Sequence, residues 1–331
     1  MKEVLRGLRA RVAAAGVRAA DGGTNVVAFS GGVDSSLVAA LVHAEFPANS
    51  FACVGVSAAL PSQQLQLARR VATHIGIPLK EVATKEGLDP DYIANRGQSC
   101  FHCKTHLYSS LEAVAERAGF ESLGEGAAQA EDGDNHDAGA GPGTSDWRTR
   151  GGGGGSLGRK RRVVLFNGTN QDDTSDPTRV GLRAAANFQA SENDFLSVSS
   201  PIDCLTKADV RSTARELGLP NWRHAASPCL RSRLAFGVEA TPERLAQVER
   251  AEGVVRASLG LGVARNLRVR SMAAGKALVE VDADLLEDAK AQLPSLRDEI
   301  LPLGFQQLDV RAFRSGAVSG FAGVATTRVS K

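Results

Sequence analysis

Cys100 and Cys103 form a CxxC within LDPDYIANRGQSCFHCKTHLY (88–108). Cys229 stands behind a proline and ahead of two arginines in SPCLRSR (227–233). A thiolate attacks electrophiles and binds metals, and Arg231 and Arg233 beside Cys229 would favour that form. A CxxC supplies two metal ligands and needs others from elsewhere in the chain. Zinc completed by His102 or His106, or a simple redox pair, are the plain uses of such a motif. Lys104, which follows it, would contact phosphate or lower a thiol pKa; otherwise it is a solvated lysine. Cys53 lies in the apolar run SFACVGVS and is expected to be core filler, and Cys204 in PIDCLTK is expected to be structural.

A second constellation handles anions. SGGVDSS (30–36) follows a short apolar run and opens a helical pattern. Gly31 and Gly32 let the backbone turn sharply and approach a ligand closely. The helix N-terminus adds positive partial charge, and Ser30, Ser35 and Ser36 add hydroxyl donors, so the loop suits a phosphate-like anion. It has no GK[ST] and is not the lysine-bearing nucleotide loop. NGTNQDD (167–173) places Asp172 and Asp173 after a strand, where they would bind Mg²⁺ or shape a pocket, or serve as loop and cap residues. Arg268 and Arg270 in LRVRS share one face of a predicted strand, a pair suited to phosphate or an exposed edge face.

The elements around these residues alternate. VVAFS (26–30), SFACVGVS (50–57), PLKEVAT (78–84) and VVLFNG (163–168) read as strands, and LVAALVHAEF (37–46) and SQQLQLARRVATHIG (62–76) as helices. Such alternation predicts a doubly wound α/β fold, a parallel sheet with helices on both faces. TKADVRSTARELGLP (206–220) has Thr206 as N-cap and Asp209 three residues on, with Pro220 beyond the end. Past residue 237 the order changes: TPERLAQVERAEG as helix, NLRVRSM and KALVEVD as strands, DLLEDAKAQLPSLRDEIL as one helix, QLDVRAF as strand. We therefore expect a first domain over 1–236 and a small α+β domain over 237–331, for substrate binding or oligomerisation. Residues 124–162 are Gly-, Ala- and Asp-rich without periodicity and are expected to be a disordered insertion. Their terminal RKRR is read as solvated rather than as a nuclear or nucleic-acid signal. The N-terminal MKEVLRGLRARVAAAGVRAA could be a transit peptide, but Val4, Leu5, Leu8 and Val12 recur at helical spacing and favour a first helix.

The 331 residues are 43% hydrophobic and 23% charged, with a net charge of +2. That is enough apolar material for a sizeable core and gives no global pull toward nucleic acid or a membrane surface. No apolar run is long enough to span a bilayer. Five cysteines in so large a chain fit a reducing compartment, the cytoplasm, better than a secreted disulfide scaffold.

SGGVDSS resembles the pyrophosphate loop of the PP-loop ATP pyrophosphatases, with Asp34 fitting their pattern and implied to organise Mg²⁺ or the loop. With the CxxC, GTNxDD, SPCLRSRLAFG, the arginine pair and AFRSG (312–316), nearly the whole chain outside 124–162 resembles the LarE-type sacrificial sulfur transferases. The resemblance implies the PP-loop fold and ATP as cosubstrate. It implies adenylation of a carboxylate of a pyridinium-3,5-biscarboxylate mononucleotide and its conversion to a thiocarboxylate. It thereby implies a role in making the nickel-pincer nucleotide cofactor of lactate racemase. It also implies that Arg268 and Arg270 hold the substrate's phosphate. One family variant gives up a cysteine sulfur and is left with dehydroalanine. Another holds a [4Fe–4S] cluster on three cysteines. Cys229 is the natural third ligand to Cys100 and Cys103, and three thiolates leave one iron open, so the cluster variant is favoured. A homo-oligomer without nucleic acid is expected.

Three positions depart from the family pattern. Arg231 replaces a small residue, Ser271 stands where histidine often follows the arginine pair, and 187–199 is long. Competing readings are a tRNA-thiolating PP-loop enzyme, which would want a basic RNA-binding surface, and a non-catalytic iron–sulfur or zinc carrier.

Overall fold

The computed structural model describes residues 2–121, 161–175, 181–182, 184 and 195–314. Most of 124–162, part of 187–199 and the end of AFRSG lie outside the described residues.

The chain opens with α1 (Lys2–Ala15), whose Leu8 and Val12 are buried. The arginine-rich N-terminus is thus a docked helix. Then come β1 (Thr24–Ala28), α2 (Val33–Glu45), β2 (Ser50–Val56), α3 (Ser62–Ile75) and β3 (Leu79–Ala83). A short α4 (Pro90–Ala94) leads into the long α5 (Ser99–Glu121). β4 (Val163–Phe166), α6 (Gln171–Thr174), β5 (Leu196–Ser199) and α7 (Lys207–Glu216) follow. The five strands form one sheet in the order β3-β2-β1-β4-β5, and each pairing is parallel.

Strand alternation divides the core between the two faces of this sheet. Val27, Ala52, Val164 and Phe166 face α1, α2, α3 and α7 in one hydrophobic cluster. Val26, Cys53, Val163 and Leu165 face the other way, against Tyr108 and Leu111 of α5. Asn25 is the polar exception in β1, fully buried. It accepts from the Val17 N–H at 3.0 Å and donates to the Val17 carbonyl at 2.7 Å. Asn25→Ala leaves the Val17 N–H without its partner, while the Val17 carbonyl keeps the bond from Asn49 at 2.8 Å, so urea unfolding should show a loss of about 1–3 kcal/mol with an unchanged m value.

A second sheet is built from β6 (Leu267–Ser271), β7 (Lys276–Val281) and β8 (Gln307–Ala312) in that order. β6 and β7 are antiparallel, β7 and β8 parallel. It packs with α8 (Pro242–Ser258), α9 (Leu286–Ala291) and α10 (Leu293–Ile300) in one hydrophobic cluster. The single helix expected over this last stretch is two, separated at Gln292, with Pro294 in the first turn of α10. Proline has no N–H to continue the ladder, and its ring clashes with the carbonyl four residues back.

Candidate functional site

In the order β3-β2-β1-β4-β5, the chain leaves β1 toward one edge and returns on its other side as β4. The crevice beyond the carboxyl ends of β1 and β4 is the switch point where open α/β sheets bind ligands. Both predicted anion-handling segments lie there. Ser30–Ser36 joins β1 to α2, and Asn167–Asp173 leaves β4. They are in contact, because a Cβ on Gly168 would stand 2.8 Å from the Ser35 nitrogen.

The first loop is held from several sides. Gly31 has φ +70°, and a Cβ there would lie 2.7 Å from the Ala68 Cα of α3. Gln64 donates to the Ser30 carbonyl at 2.6 Å. Buried Asn221 donates to the Gly31 carbonyl at 2.8 Å and to Ser36 Oγ at 2.9 Å. Ser35 and Ser36 each donate to the Gly32 carbonyl. Asp34 pairs with Lys207, and Asn170 donates to it at 3.1 Å. Asp172 accepts from the Lys207 backbone N–H at 3.0 Å, while Asp173 completes a capping box with Asn170. The two aspartates thus divide: Asp172 meets the Lys207 backbone N–H, and Asp173 serves the cap. Lys207, the first residue of α7, links both loops. Its partner Asp34 is 173 residues away in sequence, so no local pattern marks it.

The thiols meet at a second point. Cys100 and Cys103 lie one turn apart at the start of α5, on one helix face. Cys229 caps the short turn Leu230–Arg233. Arg231 donates to Cys100 Sγ and, at 3.1 Å, to Asn95 Oδ1. The residue that departs from the family pattern is therefore the tie between the two cysteine segments. Burial raises the Cys100 thiol despite the Arg231 guanidinium beside it. Burial, then Cys229 and Glu86, push Cys103 up to about 12, with Lys104 opposing. Lys104 was expected to contact phosphate or lower a thiol pKa; at Cys103, desolvation outweighs it. Arg233 turns away, to Glu252.

His102 and His106 both reach Asp89 Oδ2, each at 3.0 Å, and do not complete a set with the CxxC. Burial of Asp89 opposes ionisation, but His106, the backbone N–H groups of Tyr92 and Asp91, and His102 hold its carboxyl below the usual range. Sulfurs around one tetrahedral zinc ion lie about 3.8 Å apart. Among the described residues the three thiols are not gathered within one ion's reach; Asp89, Asp91 and His102 are. A four-iron cube spaces its cysteine sulfurs more widely than a single ion does. Beside them the buried Tyr92 hydroxyl and Glu86 Oε2 have no hydrogen-bond partner. Burial raises the thiols of Cys100 and Cys103, and the Tyr92 hydroxyl beside them is a free hydrogen-bond donor. Cys53 is buried and its thiol is pushed up to about 12 by desolvation. Native alkylation read by mass spectrometry should therefore label exposed Cys204 and spare Cys53.

Arg268 and Arg270 share a face of β6, and every residue of that strand is buried, so the exposed-edge alternative does not hold. Arg268 donates to the Ala226 carbonyl and lies over the Phe313 ring. Burial lowers its pKa to about 10. Arg270 bonds Glu280 at 2.7 Å and the Ser232 carbonyl at 2.8 Å. Both guanidinium groups are thus turned to the segment that carries Cys229. Ser271 is buried, and its carbonyl accepts from the Ala235 N–H. No helix among the described residues is long and apolar enough to cross a membrane.

Residues 10–96, from α1 through the first loop to α4, match the family model described as asparagine synthase. Over 246 residues the chain is 31% identical to the uncharacterized protein slr1717 of Synechocystis sp., covering 74% of this chain and 72% of that one. Over 301 residues it is 27% identical to the pyridinium-3,5-bisthiocarboxylic acid mononucleotide synthase of Lactiplantibacillus plantarum, covering 88% of each. These matches agree with the parallel sheet and its loop at the switch point: the chain belongs to the LarE-type family of PP-loop ATP pyrophosphatases.

Proposed function

We propose that this protein is an ATP-dependent sulfur transferase. It adenylates a carboxylate of a pyridinium-3,5-biscarboxylate mononucleotide and converts it to a thiocarboxylate, in the making of the nickel-pincer cofactor of lactate racemase. The observation that carries the reading is the bond from Arg231 to Cys100, which joins the CxxC to the Cys229 segment across 131 residues of sequence. The printed name of the Lactiplantibacillus relative, a bisthiocarboxylic acid mononucleotide synthase, supports the product class.

In the first step a substrate carboxylate oxygen attacks the α-phosphorus of ATP and pyrophosphate leaves. The N–H groups of the loop from Gly31 to Ser36, with the Ser30, Ser35 and Ser36 hydroxyls, would take the departing phosphates. Asp34 and Asp172 offer carboxylate oxygens to the Mg²⁺ that enters with ATP, which retains waters and needs only one or two such ligands. In the second step a sulfur nucleophile attacks the acyl carbon, and AMP leaves with the C–O bonding pair. If that sulfur is Cys229 Sγ, cleavage of its Cβ–S bond with loss of the Cα proton leaves dehydroalanine and a thiocarboxylate. Cys100, Cys103 and Cys229 would instead hold a [4Fe–4S] cluster, which when bound supplies an open iron position for a sulfide. Arg268 and Arg270 would meet the substrate phosphate through donors left over from the loop carbonyls. We further place a domain boundary at 236/237, the second unit holding the arginine strand.

The test uses anaerobically prepared full-length protein. Iron analysis, pyrophosphate release from ATP with the pyridinium dicarboxylate mononucleotide, and the mass of the Cys229 peptide are read together. Pyrophosphate release that needs the substrate is expected. Loss of the elements of H₂S at Cys229 assigns the sulfur to that residue, and an unchanged Cys229 with bound iron assigns it to the cluster. Intact, iron-loaded protein that releases no pyrophosphate overturns the proposal.

A further inference from the structure

The Cys229 turn is tied to the first unit by Arg231 and by the Leu230 N–H bond to the Ala59 carbonyl, and it is also tied to the second sheet. The turn is fastened there by a buried ion pair that neither the loop motif nor the CxxC predicts. Arg233 is 1% exposed. Its Nη1 donates to the Pro228 carbonyl and, at 3.2 Å, to the Cys229 carbonyl. Its Nε and Nη2 form a two-pronged pair with Glu252 of α8, at 2.8 and 3.3 Å. Glu252 Oε1 also accepts from the Val269 backbone N–H at 3.1 Å. Val269 lies between Arg268 and Arg270 on β6. One carboxylate therefore links the backbone of the cysteine to the backbone of the arginine strand.

Bidentate arginine–carboxylate pairs fix orientation as well as distance. A buried pair contributes little net stability over an apolar substitute, so its yield lies in geometry. Here the fixed geometry is that of the Cys229 main chain. We propose that Glu252 is a positioning residue for sulfur transfer. Acting through Arg233, it sets the reach and angle of Cys229 relative to β6 and to whatever substrate the arginine pair holds. This rests on the sulfur-transfer reading for its consequence, but the clamp itself can be observed without substrate.

The experiment compares full-length wild type, Glu252→Gln, and the double variant Arg233→Met with Glu252→Gln. The double variant removes both charges together and so avoids leaving one buried alone. Hydrogen exchange is followed by mass spectrometry on peptides covering 226–233, without substrate. Faster exchange confined to that segment is expected in both variants. Pyrophosphate release should stay within about twofold of wild type, while thiocarboxylate formation falls by roughly a hundredfold, the scale on which an ångström of misplacement costs rate. Equal losses in the two half-reactions would mark a merely structural pair and overturn the proposal. So would unchanged exchange over 226–233. If wild type releases no pyrophosphate at all, the sulfur-transfer reading fails, while the exchange comparison still decides the clamp.

Discussion

Cys229→Ala should abolish thiocarboxylate formation and leave substrate-dependent pyrophosphate release in place. The two half-reactions separate because their residues do. The loops proposed to take phosphate lie at the ends of β1 and β4, while Cys229 caps the turn fastened to β6 through Arg270. The half-buried side chain packs at the rim of the second core, so its truncation should cost only about 1 kcal/mol of stability. Single-turnover assays with radiolabelled ATP and mass analysis of the product give both readouts on one sample. Retained thiocarboxylate formation would remove Cys229 from the chemistry altogether. Cys100→Ala then divides the sulfur sources: a protein that donates its own Cys229 sulfur still completes one turnover, while a protein that uses a cluster loses iron and transfer together.

Gly31→Ala should lower pyrophosphate release by about a hundredfold or more while the far-ultraviolet circular dichroism stays that of wild type. A left-handed conformation costs a residue with a Cβ roughly 1–2 kcal/mol, which alone the fold would tolerate. The larger effect comes from position. The new methyl would stand 2.7 Å from the Ala68 Cα and 2.8 Å from its nitrogen, both main-chain atoms of α3. Backbone inside a packed helix cannot swing aside as a side chain does, so the loop must move. Its N–H groups then lose their aim, and the Asn221 bond to the Gly31 carbonyl goes with it. Gly32→Ala is the control, since a Cβ there meets nothing nearer than Ser30 Oγ at 3.3 Å. Release by Gly31→Ala within about twofold of wild type would mean that ATP is not held by this loop.

The nucleotide half of this picture was legible because it depends on local order. An apolar strand, two glycines and a helix start are contiguous, and parallel pairing follows from the alternation of elements. The extent of the helix that bears the CxxC is hard to read, since its apolar positions Leu107, Tyr108 and Leu111 are diluted by cysteine, histidine and serine. β5 was missed because LSVS is only four residues, too short for its apolar–polar alternation to stand out, and all four are half-buried. The shared face of Arg268 and Arg270 follows from strand period, but their burial does not; that depends on a turn 38 residues earlier supplying the Ser232 carbonyl. The same holds for Lys207 and Glu252, whose partners are distant in sequence and leave no spacing to recognise. Arg231 was visible only as an oddity, and folding gives it its partner, Cys100.

Contact between the loops after β1 and β4 also bears on how such a protein can be altered. Gly168 leaves no room for a side chain against the Ser35 nitrogen and the Asp34 backbone, and Asn170 reaches across to the Asp34 carboxylate. Neither loop keeps its shape if the other is exchanged. A chimera that takes one from a distant relative and retains the other should fold as a sheet yet lose its grip on nucleotide. A change in one loop should therefore need an answering change in the other, despite the long stretch of chain between them.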